Sequence, residues 1–144
     1  MKKFAVIALM AIAGMFALAG PALARDVALN VFVGKSVKHS PWAFYMWKGC
    51  LFKYLPKITI AEQPQHGKIE IVPAKFTPLH SECKDKVING LQVVYTPNPD
   101  IKVRTTDTFS LLVEYLPQAP DGWDSLHDFT VKILPAVATA PAGG

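Results

Sequence analysis

Few residues in this chain have the types and spacing for chemistry. His80 and Cys83 stand three apart, the nearest approach to metal-ligand spacing, and imidazole with soft sulfur suits copper or zinc, with Met46 or another histidine completing the set. Oxidation of Cys83 would remove its thiolate from that set, and the four histidines are scattered along the chain. Surface roles suit them better, so a metal at His80 and Met46 is the weaker alternative. Asp124, Ser125 and His127 carry the side chains of a catalytic triad within four residues. Neighbouring residues on a strand face opposite ways, and no G-x-S-x-G elbow surrounds Ser125, so the grouping reads as coincidence. Asp100, Asp107, Asp121, Asp124 and Asp128 lack the spacing of a calcium loop and read as turn acids. Phosphate-cradling glycine loops and dinucleotide fingerprints are absent from the sequence, which points to a non-enzymatic binding or structural protein without a cofactor, with a small envelope hydrolase or inhibitor as a further alternative.

One stretch has surplus character. Residues 35–57 carry five lysines and no carboxylate, interleaved with six aromatics. Lys35, Lys38, Trp42, Tyr45, Trp47, Lys48 and Lys53 are the candidate binding residues, a basic and aromatic face for a protein or a cell-envelope polymer. The competing explanation places alternate aromatics in the core, with lysines solvating the outside.

The segment 1–24 has Lys2 and Lys3, an apolar run broken by Gly14, Gly20 and Pro21, and the small-x-small ending Ala22-Leu23-Ala24. That is the pattern of a secretory signal, and it predicts a soluble protein beginning at Arg25, periplasmic or secreted, with no membrane span after cleavage. Loss of Lys2 and Lys3 lowers the 15 basic residues to 13 against 11 acidic ones, a net charge of +2. So small a charge on an exported chain argues against nucleic acid. Cys50 and Cys83 are the only two cysteines. In an oxidising compartment they are expected to pair.

The elements that must position these residues read as strands throughout. Val27, Leu29, Val31 and Val33 alternate with smaller or polar residues, and Gly34 ends the run. Residues 42–47 read as a strand buried on both faces, and Lys48-Gly49-Cys50 as a turn. Ile58 and Ile60, then Ile69 and Ile71, alternate on either side of His66-Gly67, which predicts a hairpin with Gly67 in an unusual backbone conformation. Leu91, Val93 and Tyr95 share a face up to Pro97. Thr105, Asp107, Phe109, Leu111, Val113 and Tyr115 share another, so residues 90–115 read as the hairpin at the centre of the fold. Phe129, Val131 and Ile133 form the last strand. Seven short strands without a helical period predict an all-β, two-sheet antiparallel sandwich over residues 25–135, with 136–144 as a disordered tail.

The order Pro64-Gln65-His66-Gly67, then Tyr95-Thr96-Pro97, then Asp107-Thr108-Phe109 resembles bacterial immunoglobulin-like, cadherin-like domains, which read P-x-H-G, Y-T-P and D-x-F in that sequence. The likeness covers about half of the residues after the signal. It implies an immunoglobulin-like sandwich stapled here by Cys50–Cys83. Two features depart from the pattern: the long glycine-free connection 98–106, and the cysteines themselves.

Overall fold

The computed structural model describes residues 24–46, 48–79, 82–115 and 124–137. Residues 1–23, Trp47, His80, Ser81, 116–123 and 138–144 lie outside the described residues, and with them the expected signal segment apart from Ala24 and most of the expected disordered tail. Among the described residues there are nine strands: β1 (Ala24–Phe32), β2 (Val37–Lys38), β3 (Phe44–Met46), β4 (Leu51–Tyr54), β5 (Lys57–Glu62), β6 (Gly67–Phe76), β7 (Ile88–Pro97), β8 (Thr105–Glu114) and β9 (Ser125–Leu134). Seven of them form two sheets, ordered β1-β9-β8-β5 and β2-β7-β6, while β3 and β4 make a separate antiparallel pair. The all-β, two-sheet architecture with one disulfide therefore holds. Within it β1 runs parallel to β9, whereas the other pairings are antiparallel.

The faces follow the alternation in the sequence. Val31, Phe109, Leu111, Val113, Phe129, Val131 and Ile133 from one sheet meet Val93 and Tyr95 from the other, with Val27, Leu29, Ile69 and Ile71 packed around them. Tyr95 and Phe109 lie parallel at 5.9 Å across the sheets, and Phe109 stacks on Phe129 at 4.4 Å. Such pairs add about 1 kcal/mol each beyond the area they bury.

Strand partners differ from expectation in two places. β5 pairs with β8 and β6 with β7, so residues 63–66 arch from one sheet to the other and form no hairpin. Likewise β7 and β8 lie in different sheets, so residues 90–115 cross the sandwich. The same turn residues serve an arch as well as a hairpin, and the inward face of each strand decides which sheet it completes. Gly67 is a second correction, because its backbone lies outside the positive-φ region. A Cβ there would stand 2.5 Å from the Tyr95 ring and 2.7 Å from the Thr96 carbonyl oxygen. The requirement is for close approach.

The predicted strand over 42–47 is replaced by a single bridge from Trp42 to Leu91 and the short β3. Lys48–Cys50 does turn the chain, with positive φ at Gly49 (78°) and Cys50 (53°). Cys50 is bonded to Cys83, their Cα atoms 5.3 Å apart, which ties β3 and β4 to the approach to β7.

Candidate functional site

Two constellations of polar side chains lie between the sheets. The first is centred on Asp107, near the start of β8 and only 3% exposed. Its Oδ1 accepts the Gln65 amide at 2.9 Å and the Thr108 amide at 3.0 Å; its Oδ2 accepts the His66 amide at 2.9 Å and the Tyr95 hydroxyl at 2.7 Å. Burial alone would raise the carboxyl pKa, but these four donors hold it below the usual range. Burial, then the hydrogen bond to Asp107 and its charge, push the Tyr95 phenol up. Asp107 is therefore no solvated turn acid. It pins the arch 63–66 to β7 and β8, and so joins the three segments quoted above for their order in the sequence.

The second constellation gathers His39, Trp42, Ser125 and His127. His39 follows β2 and its ring stacks on Trp42 at 4.6 Å, while Trp42 meets the edge of His127 at 5.3 Å. His39 and His127 stand 6.5 Å apart, both near Phe129. His39 Nδ1 donates to the Ser40 carbonyl at 2.8 Å, and His127 Nε2 shares a 2.8 Å hydrogen bond with Ser125 Oγ. His127 is 5% exposed, and its Nδ1 is buried with no hydrogen-bond partner among the described residues. Burial holds both imidazoles below their usual pKa, and Arg25 and His39 add to the effect on His127 against Asp128.

Ser125 and His127, two apart on β9, share a face, so the triad grouping contains one real contact. It goes no further. Asp124 Oδ1 accepts the Tyr115 amide at 2.8 Å, and Asp128 Oδ1 accepts Ser110 Oγ at 2.6 Å. Neither completes a relay at His127 Nδ1, and the pair faces the aromatic packing of Trp42 and Phe129.

In the basic and aromatic stretch, Trp42 follows the core explanation and not the binding one. Trp42 is 7% exposed and belongs to the core, which removes it as a contact for a partner. Its backbone exchanges hydrogen bonds with Leu91, drawing the ring beneath the sheet. Lys35 and Lys38 are exposed, the first in the β1–β2 turn and the second opposite Val94 on β2. Tyr45, Lys48 and Lys53 lie in or beside β3 and β4, where the backbone path alone is described, as it is for Met46. The disulfide takes Cys83 from the possible metal set. Among the described residues no three His, Cys, Asp or Glu side chains are placed to hold a metal ion.

On the outer face of the four-stranded sheet, Glu62, Ser110 and Asp128 line an open groove of about 610 Å³. Ser110 Oγ stands 3.4 Å from Glu62 as well as bonding Asp128. The His39–His127 contact and this cross-strand row were both hidden in the sequence, since each depends on strand partners. Among the described residues no helix is long and apolar enough to cross a membrane. No protein family, curated protein or solved structure matches the chain.

Proposed function

We propose that this chain is an exported, non-catalytic binding module of the bacterial cell envelope, an immunoglobulin-like domain of the cadherin-like kind. The observation that carries the reading is the Asp107 node. The sequence motifs are spent on holding an arch against two strands, which leaves the molecule's surfaces and edges for recognition. The Cys50–Cys83 bond is compatible with an oxidising, exported location, in keeping with the signal-like residues 1–24. The partner proposed is a protein or envelope polymer met by exposed lysines such as Lys35 and Lys38.

Ser125–His127 favours a second reading, a small envelope hydrolase. Without a carboxylate on Nδ1 and with the histidine facing the core, it is the weaker of the two. Both are tested by assaying the purified protein on ester, amide, phosphoester and glycoside substrates beside fractionation and capture from envelope extract. The binding reading expects an envelope location, a saturable partner and no turnover. Turnover abolished by Ser125→Ala in a folded protein would replace it with the hydrolase.

A further inference from the structure

The outer edge of β6 has no pairing strand among the described residues. Trp42 and Leu91 exchange two backbone hydrogen bonds, and the His39 amide bonds the Val93 carbonyl, so the odd-numbered residues of β7 point their amides and carbonyls towards β2. The ladder between β6 and β7 runs unbroken from Gly67–Pro97 to Phe76–Ile88. Since backbone groups alternate in direction along a strand, the odd-numbered residues of β6 must point away from β7. Gly67, Ile69 and Ile71 therefore present amides and carbonyls at the sheet's edge, where no described strand pairs with them. Pro73, in the same series, has no amide to offer and sets a limit to any added strand.

Side chains select the occupant. Ile69 and Ile71 pack against the core, which puts Lys68 and Glu70 together on the outer face, 3.7 Å apart and well exposed. We propose that two copies of the chain join their three-stranded sheets edge to edge, β6 antiparallel to β6 about a twofold axis at Ile69. In that register Gly67 faces Ile71 and Ile69 faces its own copy, each facing pair exchanging two N–H···O bonds. Lys68 of each copy then stands opposite Glu70 of the other, and Pro73 falls beyond the ladder. An axis one residue on, at Glu70, would set Glu70 against itself; one residue back, Lys68 would meet Lys68. The other edges of the two larger sheets lack this complementarity. β2 has two residues, β5 is bulged between Ile60 and Glu62, and Arg25 and Asp26 of β1 lie on opposite faces and never meet across such a pair.

The inference rests on the binding-module reading and supplies its partner as a second copy. Sedimentation equilibrium of the purified protein over a broad concentration range tests it, with Lys68→Glu and Glu70→Lys prepared separately. The protein is expected to form a monomer–dimer equilibrium, and each substitution to weaken it roughly tenfold by setting like charges opposite at two symmetric places. Mixing the two variants should restore association, because each then meets its opposite. Circular dichroism checks that both remain folded, and concentration-dependent protection of the Ile69 and Ile71 amides from hydrogen exchange gives a second reading on the unaltered protein. A protein monomeric throughout, or a dimer indifferent to both substitutions and their mixture, overturns the proposal. A monomer that still binds an identified envelope partner removes this inference alone and leaves the proposed function standing.

Discussion

Tyr95, at the end of β7, donates its hydroxyl to Asp107 of β8 at 2.7 Å across the gap between the sheets. Neither side chain has appreciable contact with solvent. The bond closes a node whose other donors are the amides of Gln65, His66 and Thr108. Asp107→Ala leaves these buried donors without an acceptor, and unfolding in urea should show a loss of about 3 kcal/mol or more. Asp107→Asn nearly keeps the shape but turns a donor towards other donors, so it should recover only part of that loss.

Acid should attack the same node. The Asp107 carboxyl sits below its usual pKa in the folded protein, so the folded state gives up its proton more readily than the unfolded chain. Its contribution is complete above the unfolded value, about pH 3.9, and is lost as pH falls through the lower folded value. Denaturation curves between pH 5 and about pH 2 should show this fall, and Asp107→Asn should flatten it.

His39 and His127 extend acid sensitivity to milder pH. Both are held neutral by burial, with Arg25 and the second imidazole opposing a proton on His127 while Asp128 favours it. Their share of stability is present above about pH 6.5 and is lost as pH falls through the depressed folded values. Thermal unfolding should therefore have a midpoint lower at pH 5 than at pH 7.5, with a smaller difference in His127→Phe.

Gly67→Ala tests why glycine stands at the mouth of the arch. The added methyl meets the Tyr95 ring and the Thr96 carbonyl, not open space, so a loss of about 1 to 3 kcal/mol is expected. A near-neutral effect would show that Tyr95 can give way.

Reduction of Cys50–Cys83 opens a loop spanning 33 residues. Loop-closure entropy puts the cost at roughly 4 kcal/mol, a large part of the margin of a small domain. Urea unfolding with and without a reductant measures it, and mass spectrometry after alkylation reports both thiols.

Which side of each strand is buried was legible because period-2 alternation survives any choice of partner: Val27, Leu29 and Val31, or Phe129, Val131 and Ile133, had one way to face the core. Partnership was not legible, because His66-Gly67 and Pro97–Pro99 mark a change of direction without saying whether the chain returns to the same sheet. β2 and β4 were too short to leave a pattern. Trp42 stood out as an aromatic among lysines, yet its burial depends on the bridge to Leu91, a contact across 49 residues. Likewise, the His39–His127 contact joins distant segments and has no local signal.

A double-mutant cycle between Tyr95→Phe and Asp107→Ala tests most directly whether the motif residues work as one structural lock. Urea unfolding of the parent, both single variants and the double variant should give a coupling of at least about 1 kcal/mol, the double variant losing less than the two single losses together. Additive losses, or single variants as stable as the parent, would contradict the lock and return these residues to the search for a chemical role.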